Sequence, residues 1–142
     1  MYSGMMNKRT KALFFDIDGT LLSEKTRRVP ESAVKALSQA RERGHLVFIN
    51  TGRVFAHLTE IRSQVEADGF LCGCGTCVVA EGRVLYHYHI PHERGLAIKR
   101  DIDACGLDGA LEGMEGVYVH RTPSRLPQVE QLEADLENSD SV

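Results

Sequence analysis

Two aspartates and a threonine stand just after two short apolar runs of the chain. Asp16 and Asp18 follow the run at residues 12–15, and Thr51 follows the run at residues 46–49. A continuous apolar run of this length is typical of a strand buried on both faces of a parallel sheet. Because successive parallel strands end at the same edge of a sheet, we expect these three polar side chains to lie close together.

Such a group of residues could perform phosphoryl chemistry. Two neighbouring carboxylates repel each other unless a positive group lies between them, and Mg²⁺ is a hard cation that prefers oxygen ligands. One aspartate could attack phosphorus as a nucleophile while the other transfers a proton. Thr51 and the backbone N–H groups of both loops could bind phosphoryl oxygens. Gly19 and Gly52 allow each loop to turn tightly beside a ligand.

The segments that follow the two runs have the spacing of amphipathic helices. The apolar residues at this spacing are Ala33, Ala36, Leu37 and Ala40 in the first segment, and Phe55, Leu58, Ile61 and Val65 in the second. Gly44 is a suitable end for the first helix. A third short strand is expected at residues 70–72. The alternation of strand and helix predicts an α/β fold with a parallel sheet.

The pattern changes after Gly75. Residues 77–80 and 83–90 indicate a β-hairpin, and the second arm alternates like a half-exposed antiparallel strand. Its two predicted faces are Val84, Tyr86, Tyr88 and Ile90 on one side, and Leu85, His87 and His89 on the other. Beyond Pro91, a helix with Ile98, Ile102 and Cys105 on one stripe should end at Gly106. A strand at residues 116–120 and a helix through Leu126, Val129, Leu132 and Leu136 complete the expected elements.

Two motifs resemble those of a known family. Residues 14–22, FFDIDGTLL, resemble the first motif of the haloacid dehalogenase-like (HAD) hydrolase superfamily, and residues 48–53, FINTGR, resemble its second motif in the Cof-like branch. The resemblance implies a Rossmann-like parallel sheet core, present here only in part, with the start of an inserted α/β cap. Residues 1–73 would form the N-terminal part of the core and residues 74–142 a partial cap that begins with the hairpin.

The resemblance also implies roles for individual residues. Asp16 would form an aspartyl-phosphate, and Asp18 would protonate the leaving oxygen and then activate water. Asp16 through its carboxylate and Asp18 through its backbone carbonyl would bind Mg²⁺, and Arg53 would help to hold this region. The residues assigned to the substrate phosphate are Thr51, Gly52 and Gly19. The implied function is a Mg²⁺-dependent phosphatase that acts on a small phosphorylated metabolite.

The third and fourth motifs of this family, a lysine and a group of acidic Mg²⁺ ligands, do not appear in these 142 residues. Lys99 falls in the expected cap helix and is not assigned the role of the family's lysine. Two interpretations therefore stay open. The chain is the N-terminal half of a phosphatase, or it is a non-catalytic truncated chain or interaction module. We expect little activity from residues 1–142 alone, and self-association through the open edge of an incomplete sheet.

The cysteines and histidines offer a second possible chemistry. Cys72, Cys74 and Cys77 have the spacing C-x-C-x₂-C, which differs from the paired C-x₂-C units of common zinc sites. We therefore expect neither zinc nor an iron–sulfur cluster at these cysteines. His87 and His89 could ligate a metal, but a solvated face of the hairpin is the interpretation that the sequence favours.

Composition excludes several classes of function. The chain carries 17 Lys and Arg residues against 20 Asp and Glu, a net charge of -3, which argues against nucleic-acid binding through phosphates. No apolar run approaches the ~20 residues of a membrane-spanning helix. The absence of an apolar segment after the N-terminal residues predicts a cytoplasmic protein with reduced thiols.

Overall fold

The computed structural model describes residues 10–119 of the chain. Three parallel strands, β1 (Ala12–Phe15), β2 (Leu46–Asn50) and β3 (Gly69–Cys72), lie side by side in this order. Phe14 pairs with Phe48 in a parallel ladder, and Phe48 pairs with Gly69 in the next. The predicted parallel α/β architecture is therefore confirmed. In-register parallel pairing brings the ends of β1 and β2, and hence the two candidate loops, to one edge.

Two antiparallel strands extend the same sheet. β4 (Cys77–Ala80) pairs with β3, and β5 (Arg83–His87) pairs with β4, so the five strands lie in the order β1 to β5. The sequence led us to expect this hairpin at the start of a separate cap, whereas it continues the core sheet. Its inward residues explain why, because Cys77 and Val79 are buried with the core. The division of the chain at residues 73 and 74 stays a prediction.

The alternation predicted for β5 is interrupted by a bulge. Val78 pairs with Tyr86 but Val79 pairs with Val84, so one extra residue of β5 is accommodated between the two pairs. Val84 and Tyr86 therefore oppose neighbouring residues of β4, which point to opposite faces. The expectation that they share a face is wrong. All of β5 is exposed to solvent, not only one face of it.

Three helices connect or follow these strands. α1 (Glu31–Glu42) joins β1 to β2 as the crossover that the sequence predicted, and Gly44 follows it with a positive φ of 82°. The segment expected to be one helix is a 3₁₀ turn at Phe55–Leu58 followed by a short α2 (Thr59–Gln64). α3 (His92–Cys105) ends as predicted at Gly106, in the left-handed conformation that glycine adopts easily.

The hydrophobic core lies between the sheet and the helical segments. Its members are Ile17, Leu21, Val29, Leu37, Val47, Ile49, Leu58, Ile61, Val65, Cys72, Cys77 and Val79. Gly69 of β3 allows a close approach to the neighbouring strands, because a Cβ there would lie 2.9 Å from the Phe48 ring and from the Val79 carbonyl oxygen. The Phe48 ring of β2 thus packs directly over the backbone of β3.

β1 departs from the expectation of a strand buried on both faces. Within residues 10–119 it pairs with β2 alone, so it forms one edge of the sheet. Phe14 is 56% exposed and stacks on Phe48 with ring centroids 5.0 Å apart. The apolar character of the run is real, but in the described residues nothing covers its outer face.

A small second sheet lies beyond α3. β6 (Ala110–Glu112), which the sequence did not predict, pairs antiparallel with β7 (Val117–Val119), the strand expected near residue 118. The helix predicted through Leu126 and Leu136 lies outside the described residues. Among the helices of residues 10–119, none is long and apolar enough to cross a membrane.

Candidate active site

The loop after β1 is a tight turn built around a buried residue. Ile17 is fully buried, and its carbonyl oxygen accepts N–H bonds from Thr20, Leu21 and Leu22 at 3.2, 3.0 and 2.9 Å. Asp16 and Asp18, on either side of Ile17, are both exposed. Gly19 has φ of +75° and open space around it, so its conformation, not crowding, favours glycine there. Burial of Ile17 thus fixes a loop that presents two carboxylates to solvent.

The loop after β2 is fastened to the end of β3. The Thr51 N–H donates to the Leu71 carbonyl at 2.9 Å, and the Gly73 N–H donates to the Arg53 carbonyl at 2.8 Å. A Cβ on Gly52 would lie 3.4 Å from the Cys74 sulfur, and the Cys74 N–H donates to the Thr51 carbonyl at 3.3 Å. These bonds position the Thr51–Arg53 loop through the neighbouring strand.

Thr51 is the one buried polar residue in the described part of the chain, at 4% exposure. Its hydroxyl oxygen accepts the Arg53 N–H at 3.1 Å. A hydroxyl that accepts one hydrogen bond still carries a proton that it can donate. Thr51 is therefore held in place by its own loop and keeps a donor for a ligand oxygen.

A bidentate ion pair joins the two loops. Arg53 Nε donates to Asp18 Oδ2 at 2.9 Å, and Arg53 Nη2 donates to Asp18 Oδ1 at 2.6 Å. These hydrogen bonds hold the pKa of the Asp18 carboxyl below its usual value, against the opposing effect of partial burial. The contact spans residues 35 positions apart. The structure thus brings Asp18 to the Thr51–Arg53 loop, as strand order predicted.

Sequence reasoning missed two features of this region. Arg27, which has a positive φ of 55°, lies close enough for its charge to lower the pKa of Asp18 further. Cys74, which the sequence suggested only as a possible metal ligand, packs beside Gly52 with φ of 54°. Their positions depend on how distant loops fold together, although the basic residues between positions 25 and 28 were a visible signal for Arg27.

The candidate metal ligands offer donors of the type that Mg²⁺ would need. Asp16 and Asp18 offer oxygen donors, the type that Mg²⁺ prefers, but Asp18 has both carboxylate oxygens on Arg53. This leaves the Asp16 carboxylate and the Asp18 backbone as the donors that fit. Within residues 10–119 there is no group of three or more His, Cys, Asp or Glu residues arranged for a metal ion.

The four cysteines are free thiols in two kinds of environment. Cys72 and Cys77 are buried and lie opposite each other on β3 and β4, whereas Cys74 and Cys105 are exposed. Burial raises the pKa of the Cys72 thiol to about 11, and burial also raises the pKa of Cys77. A high thiol pKa disfavours the thiolate that binds metals. The expected absence of a zinc or iron–sulfur site stays a prediction.

Comparison with known proteins now defines the family. A family model described as haloacid dehalogenase-like hydrolase matches residues 13–142. The chain belongs to this family. The match confirms the membership that the two motifs indicated, and Asp16, Asp18 and the Thr51–Arg53 loop all lie within the matched residues.

Solved structures of this family share the fold. BT1666, a HAD phosphatase from Bacteroides thetaiotaomicron, is 33% identical, with a TM-score of 0.71 over 95% of this chain and 50% of its own. The subclass IIB sugar phosphatase BT4131 is 30% identical, with a TM-score of 0.73 over 91% of this chain and 50% of its own. The chain therefore spans about half the length of these HAD phosphatases.

A curated relative is also a phosphatase. The pyridoxal phosphate phosphatase YbhA of Escherichia coli is 32% identical over 80 residues, which cover 56% of this chain and 27% of YbhA. YbhA is thus a phosphatase that this chain resembles over part of its length.

Proposed function

We propose that the protein to which these residues belong is a Mg²⁺-dependent phosphatase that hydrolyses phosphate monoesters of small metabolites. The observation that carries the proposal is the Arg53–Asp18 ion pair, because it fastens the loop of the two aspartates to the loop of Thr51. The names of its relatives suggest sugar phosphates and pyridoxal phosphate as substrates to test.

In the proposed reaction, an oxygen of the Asp16 carboxylate attacks phosphorus and the bond to the leaving oxygen breaks. Asp18 gives a proton to that oxygen, and then accepts one from the water that hydrolyses the aspartyl-phosphate. Thr51 donates its hydroxyl proton to a phosphoryl oxygen, with backbone N–H groups near Gly19 and Gly52 as further donors. Mg²⁺, when bound by Asp16 and the Asp18 backbone carbonyl, would neutralise charge on the phosphoryl group.

The protonation of the Asp18 carboxyl decides which of its two proposed roles it can perform. Paired with Arg53, its carboxyl is deprotonated at neutral pH, the form that accepts a proton from water. Its role as an acid requires Arg53 to leave the carboxylate, so that the carboxylate can first take a proton from solvent. We propose that the phosphoryl oxygens draw the guanidinium away, since an arginine binds phosphate and carboxylate with the same bidentate geometry.

The test is phosphate release by the purified protein with Mg²⁺, using p-nitrophenyl phosphate, sugar phosphates and pyridoxal phosphate. Activity should need Mg²⁺ and disappear in Asp16→Asn, which keeps the shape of the side chain but removes the nucleophilic charge. Asp101→Asn, the same change at an exposed carboxylate of α3, is the matched control and should retain full activity. Mg²⁺-dependent turnover that survives Asp16→Asn would refute the proposal.

A non-catalytic interaction module is the second candidate, favoured by the exposed edge strand β1 and by Phe14 on it. This candidate predicts self-association through β1 and no phosphate release. Analytical ultracentrifugation of the chain and of a Phe14→Lys variant distinguishes it from the first candidate, since only an association through this edge should be lost with the charged side chain.

A further inference from the structure

Two histidines lie at the β5 edge of the sheet, whereas the two aspartates follow β1 at the other edge. His87 ends β5, the edge strand opposite to β1, and His89 follows two residues later. Residues two apart on an extended chain point to the same side. Their ring centroids lie 5.7 Å apart, with an angle of 42° between the ring planes, and both residues are exposed.

The backbone holds this pair in place. His87 pairs with Cys77 of β4, and the Tyr88 N–H donates to the Thr76 carbonyl at 2.7 Å, so the residue between the two histidines is bonded to the neighbouring strand. Pro91 then fixes the chain with φ of -52° at the start of α3. Strand pairing, a hydrogen bond and Pro91 therefore hold the backbone before, between and after the two histidines, at an edge that is exposed to solvent.

The spacing of the rings suits a shared metal ion. Imidazole nitrogens bind Zn²⁺ at about 2 Å, which places the centroids of two rings on one tetrahedral ion about 5 Å apart. A small rotation of either side chain covers the difference from 5.7 Å. Within residues 10–119, the ring contact of each histidine is with the other. In the part of the chain that the structure describes, neither ring has a side-chain hydrogen bond or ion pair that a metal would have to displace.

We propose that His87 and His89 form a chelating site for a borderline divalent transition metal such as Ni²⁺, Cu²⁺ or Zn²⁺. The protein supplies two imidazole ligands, and water or an outside ligand fills the other positions. Mg²⁺ prefers oxygen ligands and does not compete. This metal site does not depend on the proposed phosphatase activity. A metal bound there would link the end of β5 to the segment that leads into α3.

Calorimetric titration of the protein with Ni²⁺ tests the proposal, in a Cys74→Ser, Cys105→Ser background that removes the exposed thiols. We expect one equivalent to bind, and His87→Ala or His89→Ala to weaken binding at least about tenfold, since loss of even an outer partner of a ligating histidine often costs about 10–100-fold in affinity. His45→Ala is the matched control, because His45 bonds the Lys11 N–H near β1 and should not affect binding.

Cu²⁺ added to ¹⁵N-labelled protein provides a second measurement that does not depend on affinity. The paramagnetic ion should broaden the amide signals of residues 86–90 before those of the Asp16 loop. Three results would overturn the proposal: no binding by the thiol-free protein, unchanged affinity in both single variants, or broadening centred elsewhere. Circular dichroism confirms that each variant is folded, as expected for changes at exposed side chains.

Discussion

Two bidentate arginine–aspartate pairs among the described residues lie at opposite ends of the parallel strands, and they differ in what surrounds the carboxylate. At the carboxyl ends of β1 and β2, Arg53 binds Asp18 through two nitrogens. Before β3, Arg41 of α1 binds Asp68 through Nε and Nη2 at 3.3 and 3.2 Å. Both contacts are bidentate, so the chemistry of the pair is the same in each place.

The Asp68 carboxylate is bonded to the backbone of a neighbouring strand as well as to Arg41. Oδ2 also accepts the N–H of Val47 in β2 at 2.8 Å, and Arg41 binds Glu66 in addition at 2.6 Å. The partners of Arg41, with Asp68 first, raise the pKa of the guanidinium. The Asp68 side chain is 26% exposed and that of Asp18 is 56% exposed. The Asp68 carboxylate is bonded to backbone and connects elements, whereas the more exposed Asp18 carboxylate can reach a ligand.

The sharpest test of this contrast is catalytic. If the protein is the proposed phosphatase, Asp16→Asn should reduce phosphate release by about 10³-fold or more, because the nucleophile and a negatively charged metal ligand are lost together. Asp68→Asn should leave turnover per folded molecule unchanged, since that carboxylate lies at the other end of the strands. Equal loss of turnover in both variants would contradict the assignment of catalysis to the Asp16 end of the strands and of a structural role to the Asp68 end.

The largest effect on stability is expected at Asp68. Asp68→Ala removes both bonds from Arg41 and leaves the N–H of fully buried Val47 without its side-chain acceptor. Urea denaturation should show a loss of about 2–4 kcal/mol in the free energy of unfolding. Glu66→Ala, at a side chain that is largely exposed, is the control and should cost less than about 0.5 kcal/mol. A loss as small as that of the control would contradict a connecting role for Asp68.

Removal of Arg53 should alter protonation more than stability. Arg53→Ala should raise the pKa of the Asp18 carboxyl, because the hydrogen bonds that lower it are gone. The pair is partly exposed, so unfolding should become easier by at most about 1 kcal/mol. Carboxyl ¹³C chemical shifts followed through a pH titration measure the pKa directly. Arg53→Lys keeps the charge without the bidentate geometry, and its Asp18 pKa should lie between the other two.

The smallest expected effect is the pH dependence of stability from Asp18. Its pKa in the folded protein lies below the ordinary 3.8, so its contribution is fully present above that pH and is lost as the pH falls through the folded value. The difference in unfolding free energy between the natural protein and Arg53→Ala should therefore shrink below about pH 3.8. Thermal unfolding of both proteins at pH 6 and pH 3 measures it, and a difference that grows in acid would be inconsistent with the pair.

Much of the fold was predictable because its signals are local. The apolar runs gave the strands, and the residues at helical spacing gave α1 and α3 with their glycine ends. Two predictions failed where neighbours outside the segment intervene. Strand β5 carries a bulge opposite Val78 and Val79, and the second helix begins as a 3₁₀ turn where Phe55 packs edge-on against Phe70 with centroids 5.9 Å apart.

The candidate site divides in the same way. Sequence alone determined that Asp16 and Asp18 follow one buried-type strand and Thr51 the next, because a parallel crossover puts both strand ends at one edge. Tertiary structure decided that Arg53 neutralises Asp18, that Cys74 packs beside Gly52, and that β1 forms an edge of the sheet within residues 10–119. The physical reason is distance along the chain. Backbone periodicity is set by adjacent residues, whereas an ion pair across 35 positions exists only after the strands have found their register.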